Sequence, residues 1–330
     1  MKNISKTHIL KDAIIDVPGI KVGHSQVLKS GAGCTVILCE KGAVGGVDVR
    51  GGAPGTRETD LLNPVNLVDK IHAIYLGGGS AFGLDGASGV MRYLEERGIG
   101  FDVGITKVPI VPGAVLFDLN VGDYQIRPTA DMGYQACLNA SEMETRQGNI
   151  GAGTGATVGK ILGELHCMKS GIGTASLKCQ ELLVGAIVAV NCFGDVIDPH
   201  SGEIIAGALT EDKKGFVNTI SLIKNTSSLK NSGNCFSTNT TIGVIATNAK
   251  INKAEATKIA MMAQNGYARA IIPAHTMFDG DTIFCVGTGE VETEVNLVGS
   301  IAAEVMARAI VKAVKNTESL YGLPSYQSLF

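Results

Sequence analysis

The sequence predicts a mixed fold of strands and helices, α/β or α+β, in which helices cover a sheet. Short apolar runs bounded by glycines, such as HAIYL at 72–76, have the length and the flanks of buried strands. Longer amphipathic segments stand between such runs, the clearest at 252–271, where Ile259 and Met262 lie near one helix face. Because strands and helices alternate along the chain, a layered body follows.

Two strands and one helix are predicted in the first third of the chain. The strands are CTVILCE (34–40) and HAIYL (72–76), and the Gly- and Pro-rich segment VRGGAPGTRETDLLNP between them is a loop. The segment GGGSAFGLDGASGVMRYLEERG follows. Its small residues let a helix begin close to the sheet, and Gly98 is expected to end that helix.

Two similar strands are predicted in the second half of the chain. VGAIVAVN ends in Asn191 and IGVIATN (242–248) also ends in an asparagine, which hints at neighbouring central strands in a pseudo-symmetric sheet. The segment 211–239 between them is rich in Ser, Asn, Thr and Lys, so it is predicted to be a mobile linker. A strand at 281–289 and a helix at 296–314 complete the predicted elements.

Composition excludes several classes of partner. The 330 residues carry a formal net charge of −3, so nothing attracts the chain to nucleic acid or to anionic lipid. Aromatic residues make up 5% and tryptophan is absent, which argues against surfaces that stack bases or sugars. No apolar run approaches the length that spans a bilayer, so no membrane partner is expected. One layered domain over 1–330 accommodates the chain.

The cysteines and the N-terminal segment predict a cytoplasmic location. None of the cysteines forms a CxxC pair and several lie in apolar runs, as expected of buried free thiols in a reducing compartment. The eight are Cys34, Cys39, Cys137, Cys167, Cys179, Cys192, Cys235 and Cys285. The segment MKNISKTHILKDAIID lacks the apolar core of a signal peptide.

The junction between Asn239 and Thr240 is the strongest candidate for chemistry. A polar stretch, LIKNTSSLKNSGNCFSTN, runs there directly into the predicted buried strand TTIGVIATN. A hydroxyl residue that opens a core strand behind a movable segment suits a self-cleaving N-terminal nucleophile. After cleavage, the free α-amine of Thr240 can act as the general base for its own hydroxyl. The alternative is an ordinary threonine that opens a strand.

The glycine-rich loops do not match a nucleotide site. Around Lys160, a P-loop would need a glycine where Thr154 stands and Ser or Thr where Ile161 stands. The GxG at 151–153 lacks the preceding strand and the later acidic residue of a dinucleotide-binding fingerprint. We interpret these loops as tight turns that pack a helix on a sheet, or as a segment that brings Lys160 to an active site.

No metal and no organic cofactor is predicted. The histidines form no HxxxH or HxH pair, and His275, four residues before Asp279, is the best of several poor candidates for a metal ligand. A Cys–His hydrolase is also disfavoured. Cys167 and His166 are adjacent in sequence, and adjacent residues on a strand point to opposite faces.

Two further features have both a structural and a functional interpretation. In FDGD, Asp279 and Asp281 flank a glycine just before a strand, so they either cap their own turn or face one pocket beside Thr240. Asn191, at a strand end, is either a turn residue or a donor that aims its amide N–H at a developing oxyanion. The residues alone leave both alternatives open.

Seven motifs stand in a recognisable order along almost the whole chain. They are DVPGIKVGH, VRGGAPGTRETDLL, GGGSAFGLDGASGV, GNIGAGTGATVGK, VNCFGD, NTTIGVIATNA and FDGDT. With them the chain resembles the DmpA-type L-aminopeptidase/D-esterases, a family that includes β-peptidyl aminopeptidases and nylon-oligomer hydrolases. The resemblance implies an α+β fold, a four-layer αββα sandwich like that of N-terminal nucleophile hydrolases, with its own strand connectivity.

The resemblance also implies self-cleavage and an assembly. The cut falls between Asn239 and Thr240, leaving a large fragment, 1–239, and a small fragment, 240–330. The two fragments stay together, commonly in a homo-oligomer such as a tetramer.

Site residues are carried over by motif. The resemblance makes Thr240 the nucleophile and Asn191 the residue that stabilises the oxyanion, and it places Lys160 in the wall of the site. The Asn–Thr junction, together with Asp279 and Asp281, is similar to the nylon-oligomer hydrolase branch, whereas some members use serine. One position departs from the family.

That departure concerns an active-site tyrosine. Family members often carry it in the segment that here reads VPGAVLFDLN, where Phe117 stands. A phenylalanine has no hydroxyl to donate to an oxyanion or a substrate. Either Tyr124 supplies the hydroxyl from a shifted loop, or the protein manages without it, which affects substrate preference more than the nucleophile.

The expected function is hydrolysis of amide or ester bonds in small peptides, amino-acid amides or oligoamides, without a metal or cofactor. One competing function is acyl transfer of the ornithine-acetyltransferase type, in which the same threonine passes the acyl group to an amine. The other is non-catalytic binding of a small molecule in the glycine-rich pocket.

Overall fold

A computed structural model of the protein describes residues 10–225 and 239–330. Cys235 and the other residues of 226–238, which make up most of the second half of the predicted linker, lie outside these ranges. The strands are β1 Lys21–Val27, β2 Ala32–Val49, β3 Thr56–Arg57, β4 Lys70–Gly77, β5 Phe101–Asp102, β6 Lys107–Val108, β7 Gly113–Val115, β8 Thr157–Val158, β9 Met168–Lys169, β10 Ile172–Cys179, β11 Leu182–Asn191, β12 Asp195–Ile197, β13 Ile204–Ala206, β14 Thr240–Ala249, β15 Ile271–Ile272 and β16 Thr282–Val291. The helices are α1 Gly86–Glu95, α2 Ala130–Leu138, α3 Thr219–Asn225, α4 Lys253–Ala270, α5 Val295–Lys315 and α6 Tyr326–Leu329.

The long strand β2 connects two halves of one hydrogen-bonded sheet. Its first half pairs with β1 on one side and β4 on the other, and β4 continues through β7 to β3. Its second half pairs with β16, which continues through β14 and β11 to β10. All these pairings are antiparallel except β4 with β7 and β14 with β16, which are parallel.

The two halves of the sheet face each other across a shared apolar core. Ile37 and Ile74 from the first half lie in the same buried cluster as Val244 and Phe284 from the second. In the hydrogen-bonded order β16 and β2 separate β14 from β4, so a common core requires the sheet to fold over at β2. The fold therefore contains two stacked sheets that share one strand.

Helices cover both outer faces of this stack. On one side α4 and α5 contribute Tyr267 and Met306 to a cluster that includes Ile245 of β14. On the other side α1 and α2 contribute Val90 and Cys137 to a cluster with residues of β2 and β4. The four-layer αββα sandwich is confirmed. Because both faces of each central strand are buried, these strands read as unbroken apolar runs.

The predicted strand at 34–40 is confirmed but is part of the longer β2. Its extension contains Gly42, Gly45 and Gly46, which the sequence does not favour in a strand. Gly46 is required by close packing, since a Cβ there would lie 2.3 Å from the backbone nitrogen of Thr257 in α4. The predicted strands at 72–76 and 281–289 correspond to β4 and β16.

The predicted long helices are also confirmed. Asn252 caps α4 by accepting a hydrogen bond from the Glu255 amide at 3.0 Å, and the Glu255 carboxylate accepts from the Asn252 amide at 2.8 Å. α5 covers the predicted 296–314. No helix of the two described ranges is long and apolar enough to cross a membrane.

Part of the predicted linker is wrong, because 219–225 forms the helix α3. Buried Asp195 holds its beginning, with Oδ2 accepting from the Thr219 amide and Oδ1 from the Thr219 hydroxyl, both at 2.8 Å. Leu222 and Ile223 then pack on a small apolar cluster that contains Phe193. Tertiary contacts thus order a segment whose composition is typical of a linker. Residues 226–238 lie outside the described residues.

The two similar strands are neighbours, as their sequences suggested. β11 and β14 pair antiparallel with Asn191 opposite Thr240. β16 lies on the other side of β14, with Thr282 opposite Ile242. One end of these three central strands therefore collects the end of β11 and the beginnings of β14 and β16. The seven described cysteines are free thiols, six of them buried.

Candidate active site

The Asn239–Thr240 junction lies at the beginning of the central strand β14. Asn239 is 1% exposed and Thr240 is 4% exposed, so the peptide bond between them is inside the protein. The Thr240 hydroxyl is in contact with the carbonyl oxygen of Asn239 and donates to it. The same carbonyl accepts a hydrogen bond from the Gly280 amide at 3.1 Å. A hydroxyl and a polarising N–H thus meet at the carbonyl that precedes Thr240.

The turn at 279–281 lies directly against Thr240. Asn239 and Asp279 form a parallel bridge, and a Cβ on Gly280 would lie 2.7 Å from the Thr240 hydroxyl oxygen. Only a glycine leaves room for that hydroxyl. Backbone amides of the glycine-rich loop at 50–53 also bind this turn. The Ala53 amide donates to the Asp279 carbonyl at 2.8 Å, and the Arg50 amide donates to the Asp281 carbonyl at 2.9 Å.

The two carboxylates of this turn have different partners. Asp279 Oδ2 accepts from the Thr276 amide at 2.9 Å and from the Thr276 hydroxyl at 2.6 Å, so it caps its own turn. Asp281 Oδ1 reaches β14 and accepts from the Thr241 amide at 2.8 Å. The turn-capping interpretation applies to Asp279, and a pocket beside Thr240 that both carboxylates face stays a prediction.

Burial makes ionisation of Asp279 unfavourable. Its side chain lies inside the protein, and burial together with the neighbouring Asp281 carboxylate raises the pKa of Asp279 to about 6. The Thr276 hydrogen bonds act in the opposite direction and are outweighed. The site thus keeps two carboxylates close together at a strand end, one of them able to change its charge near neutral pH.

Asn191 and Lys160 form the opposite wall of the site. Lys160 Nζ donates to the Asn191 side-chain oxygen at 2.8 Å and to the Asn191 backbone oxygen at 3.0 Å. The Thr157 amide donates to the same side-chain oxygen at 3.0 Å, while Asn191 Nδ2 donates to the Phe117 carbonyl at 2.8 Å. Burial lowers the pKa of Lys160 to about 8, and nearby thiols and carboxylates oppose this. The amide group of Asn191 is therefore held in one orientation.

The structure brings together five of the predicted site residues, and these are Thr240, Asn191, Lys160, Asp279 and Asp281. Phe117 contributes its backbone carbonyl to this set and is half-buried. The side chain of Tyr124 is 63% exposed on the loop that follows. The roles of Phe117 and Tyr124 in substrate binding stay predictions.

The loop at 151–153 is a tight turn, as interpreted. It forms a short 3₁₀ turn packed on β2, where a Cβ on Gly33 would lie 2.0 Å from the Gly151 carbonyl oxygen. Within the described residues no group of three His, Cys, Asp or Glu side chains is arranged to hold a metal ion.

Three residues that support the site were missed from sequence. His275 donates its amide to Asp281 Oδ2 at 3.0 Å, and its ring Nδ1 lies 2.9 Å from the same oxygen. Thr276 holds Asp279 and Thr157 holds Asn191. Thr276 stands three residues before Asp279, a spacing typical of side-chain-capped turns, so that partner had a signal in the sequence. The Thr157–Asn191 contact joins distant segments, and the His275–Asp281 contact spans six residues that follow no capping pattern.

Comparisons with known proteins identify the family of the chain. The family model described as peptidase family S58 matches residues 12–326. An uncharacterized aminopeptidase of Mycobacterium tuberculosis is 44% identical over 347 aligned positions, covering 97% of this chain and 98% of that protein. The 6-aminohexanoate-oligomer endohydrolase of a Kocuria species is 30% identical, covering 91% of this chain and 85% of that enzyme.

A solved structure shares the fold. The L-aminopeptidase D-Ala-esterase/amidase of Ochrobactrum anthropi, described as a variant of the Ntn hydrolase fold, superimposes with a TM-score of 0.72 at 17% identity. The match covers 95% of this chain and 88% of that one. The family model and the relatives cover nearly all of the sequence, and the span of the family model, 12–326, includes every site residue described above. The chain belongs to peptidase family S58 and is a hydrolase of peptide or amide bonds.

Proposed function

We propose that the chain is an N-terminal-threonine hydrolase that cuts itself between Asn239 and Thr240 and then cleaves small peptides, amino-acid amides or oligoamides. The observation that carries this proposal is the contact of the Thr240 hydroxyl with the Asn239 carbonyl, which also accepts from the Gly280 amide. Nucleophile, target carbonyl and an N–H donor meet at one buried peptide bond.

Self-cleavage proceeds by an N-to-O acyl shift. Thr240 Oγ forms a bond to the carbonyl carbon of Asn239, and the Gly280 N–H stabilises the oxygen that becomes negative. The hydroxyl proton passes to the nitrogen of Thr240 as the C–N bond breaks, which leaves an ester. Water then hydrolyses the ester and releases the Asn239 carboxylate, the Thr240 hydroxyl and a free α-amine.

In the cleaved enzyme, Thr240 carries both nucleophile and base. Its α-amine accepts the hydroxyl proton as Oγ attacks the substrate carbonyl, and it passes that proton to the leaving amine as the C–N bond breaks, which leaves an ester on Thr240. Water then hydrolyses this ester and releases the acid. The Asn191 amide stabilises the oxyanion, and Lys160 holds that amide through Oδ1. Asp281 fixes the start of β14 through the Thr241 amide. Asp279 provides negative charge beside the new amine or beside a substrate ammonium group.

Amide substrates are supported by the relatives, one named an aminopeptidase and another named for 6-aminohexanoate oligomers. Acyl transfer to an added amine remains the second candidate, because the same threonine ester serves both reactions. An added amino acid that intercepts the acyl group faster than water would favour transfer. A full-length chain without turnover would favour the non-catalytic binder.

The proposal also includes a homo-oligomer of cleaved protomers, a tetramer in the simplest case, and a cytoplasmic location. The family resemblance supports the assembly, and the free thiols of the described residues are compatible with a reducing compartment. Native mass measurement of the purified protein tests the assembly.

Substitution of Thr240 tests the proposed nucleophile. We expect Thr240→Ala to stay one full-length band on a denaturing gel and to lose all turnover of an aminoacyl p-nitroanilide, since it lacks the attacking oxygen. The matched control is Thr241→Ala, which removes the neighbouring buried hydroxyl but keeps the amide that Asp281 binds. That control is expected to cleave itself and to turn over substrate. Two bands from Thr240→Ala would contradict the assignment.

A further inference from the structure

Two peptide groups hold the side chain of Asn191 from opposite sides. The amide of the Ala156–Thr157 peptide donates to Oδ1, and the carbonyl of the Phe117–Asp118 peptide accepts from Nδ2. Because oxygen and nitrogen have different partners, these two peptides, together with Lys160 on Oδ1, set which way the amide group faces. Oxyanion stabilisation needs the N–H side to face the reacting carbonyl.

A buried lysine holds the first of these peptides. Lys169 is 0% exposed, and its Nζ donates to the carbonyl of Ala156 at 2.9 Å and to that of Gly153 at 3.2 Å. It also donates to the carbonyl of its neighbour Ser170. The Ala156–Thr157 peptide group therefore accepts a hydrogen bond from Lys169 through its oxygen and donates a hydrogen bond to Asn191 through its nitrogen.

A buried carboxylate follows the second peptide. Asp118 is 5% exposed, and its Oδ1 accepts from the Gly79 amide at 2.6 Å. Its Oδ2 is enclosed between two glycines, since a Cβ on Gly78 would lie 2.3 Å from this oxygen and a Cβ on Gly155 would lie 2.5 Å from it. Gly155 immediately precedes Ala156, so Asp118 touches the segment that Lys169 holds.

The two charges interact inside the protein. Burial raises the pKa of Asp118 to about 6, and Lys169 and Lys160 oppose this shift. Burial lowers the pKa of Lys169 to about 7, and Asp118 opposes that shift in turn. Taking these two charged groups out of water carries a desolvation cost, so stability is a weak explanation for their presence.

We propose that Lys169 and Asp118 are positioning residues that fix the amide orientation of Asn191 through the peptides at 156–157 and 117–118. The inference rests on the proposed function, in which Asn191 stabilises the oxyanion. Neither side chain contacts the Asn191 amide directly, and each acts through a backbone group that does.

Kinetics of the purified enzyme separate positioning from folding. Lys169→Met and Asp118→Asn are each expected to lower kcat for an aminoacyl p-nitroanilide by about 10-fold to 100-fold, with KM changed by less than about threefold. The matched control is Lys253→Met. Lys253 is also buried and donates to two carbonyls, those of Leu61 and Asn66, which belong to neither peptide that holds Asn191. This control should keep the kcat of the parent enzyme.

A double-mutant cycle with Asn191→Ala gives the sharper test. If Lys169 acts through Asn191, adding Lys169→Met to Asn191→Ala should lower kcat by less than about threefold further. An equal loss in both backgrounds, or no loss in the single variants, would overturn the inference. Failure of both single variants to fold, seen by circular dichroism, would overturn it too and assign the pair to folding. A wild-type enzyme without turnover would instead contradict the proposed function.

Discussion

The two ends of the central strands β11 and β14 use the same residue for different purposes. Asn191 ends β11 beside Thr240, whereas Asn248, in the similar sequence of β14, lies at the opposite end because the strands run antiparallel. Asn248 accepts from the Leu183 amide and donates to the Glu181 carbonyl, both at 2.8 Å, so it closes the turn before β11. Asn191 contacts the buried Lys160, and the carboxylates of Asp279 and Asp281 lie on the other side of Thr240.

This difference shows that a strand ending in asparagine is not a functional signal by itself. Both asparagines are buried and both are satisfied by backbone groups. What distinguishes Asn191 is the charge that surrounds it and the register that sets it opposite Thr240. We propose that the end with Asn191 and Thr240 serves chemistry and the end with Asn248 serves stability, and substitutions at each end should separate the two.

The largest expected effect is a loss of activity at the end of the strands that contains Asn191 and Thr240. Asn191→Ala removes a proposed oxyanion donor and should lower kcat by about 100-fold to 1,000-fold in steady-state kinetics. Asn248→Ala is the matched control and should leave kcat unchanged within about threefold. Equal losses in the two variants would remove the distinction between the ends.

The second effect concerns how Asp279, at the same end of the strands, changes the free energy of unfolding with pH. The folded state raises the pKa of Asp279 from 3.8 to about 6, so it favours the protonated carboxyl. Stability from this group is present below pH 4 and is lost as pH rises through 6, on the order of 2–3 kcal/mol.

Urea unfolding measures this loss, with Thr240→Ala as the background so that the chain stays uncleaved. Adding Asp279→Asn should stabilise the chain at pH 7 and make little difference at pH 4. Other titrating groups, among them Asp118, are present in both chains, so their contributions cancel in the difference between the two free energies of unfolding. A difference independent of pH would contradict the raised pKa.

The smallest effect is a loss of stability at the end of the strands that contains Asn248. Asn248→Ala leaves the buried amide of Leu183 and the carbonyl of Glu181 without a side-chain partner and should lower the free energy of unfolding by about 1–3 kcal/mol. Chemical denaturation at constant pH checks this value. If Asn248→Ala unfolds at the same urea concentration as the parent chain, the structural role assigned to Asn248 is wrong.

Much of the site could be predicted because its parts stand at strand ends. The unbroken apolar runs predicted β11 and β14 as strands, and their common pattern indicated that the two are neighbours. For Asp279 and Asp281 the residues alone left both a turn-capping role and a site role open, and their place beside Thr240 was implied by the family resemblance. The structure sets them just before β16, which pairs with β14. The opposite directions of β11 and β14, which separate Asn191 from Asn248, could not be read from their similarity.

The rest depends on contacts between distant segments. Lys169 and Asp118 were not predicted, since their partners are backbone atoms of Ala156 and Gly79 that no side-chain pattern marks. The helix α3 was missed for a related reason, because buried Asp195 orders a polar segment whose composition favours a linker. The strand β2 was predicted too short because its second half is glycine-rich where α4 packs on it.

Mass spectrometry of the wild-type chain under denaturing conditions tests the central claim most directly. Self-cleavage predicts two species, 1–239 and 240–330, whose masses together equal the 34.2 kDa chain plus one water, with Thr240 as the first residue of the smaller one. A single species of 34.2 kDa in a preparation that hydrolyses amides, or a cut at any other bond, would contradict the claim.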